Sequence, residues 1–183
     1  MRTRVFAVPA IVLLLGLTSY AQPKQAELSK KESWMTYGMT HPLHHIEATS
    51  KDVVYHVDID VAKKEILNVS ADVDVTTFDS GNSNRDSHAM EVIDAIDYPE
   101  ASFAGSSVTQ IGDSLKIAGK MNFHGVTHDI VMMALPRWTS DKLEVTGQFD
   151  LSLTAFKIER PSLLLIPVED ALRFTFAVVF VLR

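Results

Sequence analysis

From Ser33 onward the chain alternates apolar and polar side chains with a period of two, the pattern of strands buried on one face. Val53, Tyr55, Val57 and Ile59 alternate with Val54, His56, Asp58 and Asp60. Leu67, Val69, Ala71, Val73 and Val75 alternate with Asn68, Ser70, Asp72, Asp74 and Thr76. The same reading runs through Leu115–Phe123, Leu143–Ser152 and Leu172–Leu182, and no helical period fits any of these stretches. Further strands are predicted near Trp34–Thr40, Ser102–Gln110 and His128–Thr139. The links at Ala62-Lys63-Lys64, Gly112-Asp113, Gly125-Val126 and Ser140-Asp141 are of hairpin length, so consecutive strands are antiparallel neighbours. Roughly eight strands with one apolar face each predict an all-β sandwich or a closed up-and-down barrel.

Two segments break the alternation. In "SNRDSHAMEVIDAIDYPEASF", Ala89, Val92, Ile93 and Ile96 recur at helical spacing, Ser83 or Asn84 can cap the start, and Pro99 blocks continuation. A short amphipathic helix over 84–96 is expected, with one side against the sheet. The second segment, "KIERPSLLLIPVED" over Lys157–Asp170, is long for a hairpin link and holds Leu163, Leu164, Leu165 and Ile166 between prolines. It reads as a flap over a barrel mouth, or as a lid plugging the core.

The first residues are of another kind. Arg2 and Arg4 precede an apolar run from Val5 to Leu17, and Ser19 and Ala21 follow at signal-peptidase spacing. The run is short for a membrane span, so residues 1–21 are expected to be a secretory signal cut after Ala21. Polar residues 22–32 then form a flexible leader, and 33–183 the barrel domain. Without Arg2 and Arg4, Lys+Arg falls from 17 to 15 against 23 acidic residues, a net charge of −8. Such an acidic domain suits neither nucleic acid nor an anionic membrane surface, and stable membrane insertion is not expected. There is no cysteine, which removes disulfides, thiolate chemistry and a lipidation cysteine. The expected location is the periplasm or the extracellular medium.

Candidate chemistry is sparse. His41, His44 and His45 lie in "HPLHH", and His124 and His128 lie in "HGVTH" around a turn. Facing each other across a three-residue turn, the latter pair would have Cβ atoms about 5 Å apart, close enough to share a metal. The alternative function is therefore a histidine-dependent metal-binding protein or metalloenzyme using these five residues. No His-Glu-x-x-His, Gly-x-Ser-x-Gly elbow or phosphate loop occurs, and no cofactor is expected. Asp86 and His88, two apart on a helix, point about 200° away from one another, which argues against a catalytic pair. Arg85 or Asp86 is expected instead to bond a neighbouring loop and hold the helix in place.

The apolar face carries more. Val73, Val75, Met121, Phe123 and Met132 fall on inward parities, as do Phe149, Phe174, Phe176, Val178 and Phe180. These inward positions mix bulky rings with Gly119, Gly147 and Ala71, which suits either a cavity for an apolar ligand or a dry-cored protein-interaction domain.

Three blocks together resemble the YceI-like family, exported lipocalin-like barrels associated with polyisoprenoid binding. They are "RDSHAMEVIDAIDYPEASF", "SLKIAGKMNFHGVTHDIVM" and the preceding "ADVDVTTFDSGNSNRD", spanning Ala71–Met133. The resemblance implies an antiparallel lipocalin-like barrel that binds, carries or sequesters a long isoprenoid or other lipid without catalysis. From the family's motif it implies that Arg85, Asp86 and His88 organise the helix. The histidine-rich "MTYGMTHPLHHIEATSKDV" and the loop "ERPSLLLIPVED" depart from the family pattern.

Overall fold

The computed structural model describes residues 25–183, so the signal expected at residues 1–21 lies outside the described residues. The alternating runs pair into a single antiparallel sheet of ten strands that curls strongly into a half-barrel. In chain order the strands are β1 (Ala26–Leu28), β2 (Trp34–His41), β3 (His44–Ser50), β4 (Val54–Asp60), β5 (Glu65–Asp74) and β6 (Glu100–Ile111). Then come β7 (Ser114–Phe123), β8 (Val126–Trp138), β9 (Lys142–Ser152) and the short pair β10 (Ser162–Leu163) and β11 (Ile166–Pro167). The last strand is β12 (Ala171–Leu182). Spatially the order is β3-β2-β12-β9-β8-β7-β6-β5-β4, an up-and-down meander from β4 to β9 continued by β12 and the β2–β3 hairpin.

Two strands exceed the sequence expectation. β3 carries only Ile46 and Ala48 as apolar side chains and owes its conformation to pairing with β2 along its own whole length. β1 falls inside the expected flexible leader, yet Ala26–Leu28 pairs with Phe180–Leu182, and the Gln25 and Arg183 backbones exchange two hydrogen bonds of 2.8 and 2.9 Å. Unpaired main-chain groups at the end of β12 supply the reason: a strand edge takes up any extended segment within reach.

β3 and β4 form the two edges, joined by Lys51–Val53 and not hydrogen-bonded to each other along their length. The segment after β5 sews the β3 edge. A 3₁₀ turn at Val75–Thr77 is capped by Asp74, Thr49 and Asp79 exchange backbone hydrogen bonds of 2.9 and 3.1 Å, and the Ser50 and Thr77 hydroxyls meet at 2.7 Å.

Inward parity holds along most strands and slips on β5. Pairing passes from Asp58↔Asn68 to Ile59↔Ile66, so Leu67 is the extra residue of a bulge. It is exposed, while Ile66 turns inward. At the other bare positions, aromatic rings from neighbouring strands cover the glycines. A Cβ on Gly119 would lie 2.5 Å from the Phe103 ring, and one on Gly147 would lie 2.4 Å from the Phe176 ring.

The helix α1 spans Ser83–Val92, shorter than expected. Asn82 caps it by accepting from the Arg85 N–H at 3.2 Å. Asp94 adopts φ +47°, and the Ala95 N–H reaches back to the Met90 carbonyl at 3.0 Å, ending the helix well before Pro99. Ile96, assigned to the apolar helix face by its spacing, therefore lies beyond the helix and is 98 % exposed.

Candidate functional site

The concave face of the sheet encloses a cavity of about 350 Å³, within the roughly 300–1,000 Å³ of small-ligand sites. Val73 and Val75 come from β5 and the turn after it, Met121 and Phe123 from β7, and Met132 from β8. Phe149 on β9 and Phe174, Phe176, Val178 and Phe180 on β12 complete the set read from the sequence as inward-facing, and all of them line this space. Residues missed in the sequence widen it: Met35, Tyr37 and Met39 alternate along β2, and they join Tyr55 and Val57 of the apolar run on β4. Their period-two spacing was the available signal. Phe78, which follows the 3₁₀ turn, had none.

An aromatic row crosses the wall. Phe149 stacks on Phe174 with centroids 4.9 Å apart, Tyr37 lies 6.3 Å beyond, and Phe78 a further 5.3 Å from Tyr37. These strands bring rings into register because Phe174 pairs with Phe149 on one side and Tyr37 on the other. The Tyr55 hydroxyl is the one buried side-chain polar atom among the described residues without a hydrogen-bond partner, and burial raises its pKa well above the ordinary tyrosine value.

The mouth is marked by residues that line the cavity and are also exposed: His44, His88, Ser162 and Leu163. Three elements meet there. From α1, Arg85, Ala89, Met90 and Val92 line the cavity, joined by Ile93 just past the helix end. Arg85 Nε donates to Ser80 Oγ at 2.8 Å and Nη2 to the Ser80 carbonyl at 2.7 Å, while Asp86 accepts from the Ser80 N–H at 3.1 Å and from its hydroxyl. Helix and preceding loop are thus tied through one serine. His88, at the rim, takes no part in this tie and lies 3.6 Å from Glu91.

The β10–β11 hairpin is the second element and the β2–β3 turn the third. His41, only 3 % exposed, joins them: Nδ1 accepts from the Leu43 N–H at 3.1 Å, so Nε2 carries the proton and donates to the Ile166 carbonyl at 3.0 Å. Arg160 donates twice to the Val168 carbonyl and the Glu169 N–H donates to Thr40, fastening the hairpin base. At its tip Leu164 and Leu165 sit at φ +54° and +66°. A two-residue loop of this hand favours Asn-Gly, and leucine there costs roughly 1–2 kcal/mol per residue.

The histidines do not assemble into the metal site considered as the alternative. The turn after β7 is the two-residue His124-Gly125, both at positive φ, so His128 faces Met121 rather than His124. His124 Nδ1 donates to the Phe156 carbonyl at 2.9 Å, and its Nε2 lies 3.4 Å from Asp94; His128 Nε2 donates to the Ala155 carbonyl at 3.0 Å. His45 lies between Thr40 and Glu47, and His44 packs beside His41 with ring centroids 5.0 Å apart. Among the described residues no group of three or more His, Asp or Glu side chains is placed to hold a metal ion.

A strongly curled antiparallel sheet wrapped around an apolar space defines a half-barrel of the lipocalin-like kind. A family model described as YceI-like domain matches residues 24–180, and the chain belongs to that family. Protein YceI of Escherichia coli O157:H7 is 31% identical over 68 residues, and that stretch spans 36% of this chain and 36% of the relative. BcnA of Burkholderia cenocepacia superposes with a TM-score of 0.75 at 19% identity, covering 84% of this chain and 99% of that one. A YCEI protein of Campylobacter jejuni gives 0.68 at 19% identity, over 78% and 88% of the two chains. A polyisoprenoid binding domain from Saccharophagus degradans gives 0.64 at 10% identity, over 85% and 97%. At these identities the solved structures establish a shared fold.

Proposed function

We propose that this protein binds a long apolar lipid, of polyisoprenoid or isoprenoid-quinone type, in the barrel cavity and carries or sequesters it without chemical change. The observation that carries the reading is the cavity itself: aromatic, branched aliphatic and methionine side chains from β2, β4, β5, β7, β8, β9 and β12 surround an open space rather than filling it. Burying an alkyl chain contributes about 0.8 kcal/mol per CH₂, so ten shielded carbons supply roughly 8 kcal/mol before ordering costs. No buried charge is required for that.

Membership of the YceI-like family supports the reading, as does likeness in fold to a domain described as polyisoprenoid-binding. Polar side chains near the mouth are engaged in holding structure: Arg85 and Asp86 on Ser80, and His41 on Leu43 and Ile166. In this reading Arg85 and Asp86 organise the helix and His88 stands at the rim. Export to the periplasm or medium belongs to the same proposal. No helix among the described residues is long and apolar enough to cross a membrane.

Organic extraction of protein purified from its native host, followed by mass spectrometry, tests the proposal. A stoichiometric lipid with a long unbranched or isoprenoid tail is the expected result, and repeated blanks overturn it.

A further inference from the structure

We propose that the β10–β11 hairpin is a membrane-docking tip that dips into the surface of a lipid bilayer to load or unload the cavity. The inference rests on the lipid-holding reading of that cavity.

Leu163, Leu164, Leu165 and Ile166 are 45, 76, 96 and 42 % exposed, a run of apolar side chains held in water at the end of a two-residue turn. The strain at Leu164 and Leu165 makes the choice of residue informative. Asn-Gly would relax this turn, and leucine at both positions gains nothing in the folded protein, where neither side chain is buried. The gain must come from something outside the chain.

The geometry favours a bilayer over a protein partner. The tip is a hairpin of two two-residue strands, offering with Leu43 on the order of a few hundred Å², below the roughly 800 Å² per partner that a specific protein interface buries. Acyl chains accept an apolar knuckle of any shape. Leu43, 62 % exposed, stands on the β2–β3 turn that His41 ties to the hairpin, so two apolar fingers share one rim. No charged residue lies between Arg160 and Glu169, and the flanking charges are of both signs, so attachment is by apolar insertion rather than by anionic headgroups.

Position supplies the purpose. Leu163 lines the cavity while remaining half exposed, so one side chain of the hairpin's apolar run borders the barrel interior. A lipid tail leaving the bilayer along Leu163 would meet little water. The clamp of Arg160 on Val168 and of His41 on Ile166 keeps the tip at a fixed attitude to the mouth.

The test uses the chain from residue 22 onward, which contains the whole described fold and lacks the apolar Val5–Leu17. It is mixed with phosphatidylcholine vesicles, with and without phosphatidylglycerol, and sedimented. Binding is expected to both, no weaker to the neutral vesicles and little affected by salt. In the double variant Leu164→Asn/Leu165→Gly, vesicle partitioning should fall by at least about tenfold, with a melting temperature equal to or above that of the parent. Binding of geranylgeraniol, followed by native mass spectrometry, should be unchanged in the variant.

A parent chain that stays in the supernatant, or a variant that sediments equally well, overturns the proposal. Leucine-dependent dimerisation without lipid also overturns it, because the tip would then belong to a second copy. Vesicle binding by a parent that takes up no geranylgeraniol supports the docking tip and counts against the cavity reading alone.

Discussion

Phe149 and Phe174 lie directly opposite one another on β9 and β12, ring centroids 4.9 Å apart and planes within 6° of parallel. The stack continues sideways into Tyr37 and then Phe78, so one aromatic row braces the β9–β12–β2 part of the wall. Phe174→Ala removes the middle of that row. Stability should fall by about 3 kcal/mol, the low end for a buried phenylalanine because the ring already borders open space. Denaturant unfolding measures the loss. The lipid recovered by extraction should shift toward bulkier or longer tails.

Gly147→Ala should act in the opposite sense on the cavity. The new methyl would sit 2.4 Å from the Phe176 ring and 3.0 Å from the Met133 carbonyl, so the ring must move into the space it now borders. A destabilisation of about 1–3 kcal/mol is expected, with reduced uptake of geranylgeraniol in a titration. Unchanged uptake would show that the ligand lies elsewhere.

Tyr55→Phe should cost nothing and gain up to about 1 kcal/mol at neutral pH, because it removes a buried hydroxyl that has no partner. Burial raises the folded-state pKa of this phenol, so above about pH 10 the unfolded chain ionises first and stability declines. The variant should lose less stability between neutral and alkaline pH. Paired thermal melts at the two conditions make the comparison.

Asp170 behaves as the acid counterpart. The Ser152 hydroxyl and then the Thr154 N–H, which donates at 2.9 Å, hold its carboxyl below the ordinary carboxylate range. That contribution is present above about pH 4 and is lost as pH falls through the lowered folded-state value. Solvent screening keeps it under about 1 kcal/mol. Asp170→Asn should therefore be slightly less stable than the parent at neutral pH and flatter in its acid unfolding curve.

Alternation was enough to place β4, β5, β7, β9 and β12, because each of these strands turns one face inward and only an extended chain turns successive side chains to opposite sides. The same parity put Phe149, Phe174, Phe176 and Met121 on the interior. It failed where pairing rather than composition decides the conformation. β3 has little apolar content, and β1 is polar enough to read as leader, yet both extend because a neighbouring strand offers them partners. The bulge at Leu67 and the positive φ at Asp94 and His124 are single-residue events that reset side-chain direction, which misplaced Leu67, Ile96 and the supposed His124–His128 pair. Whether the interior would be open or filled depended on how Phe103 and Phe176 lie over glycines two strands apart, a matter of three-dimensional packing. The flap at 157–170 was visible as an anomaly. Its left-handed leucine turn was not.

Both β1 and β2 take β12 as their partner, and β12 follows every other strand in chain order. For a polypeptide delivered amino end first, whether by ribosome or by translocase, the opening hairpin must wait for the closing strand before its seam can form. The same pairing means that a lesion confined to Ala171–Leu182 removes the partner of strands synthesised long before it.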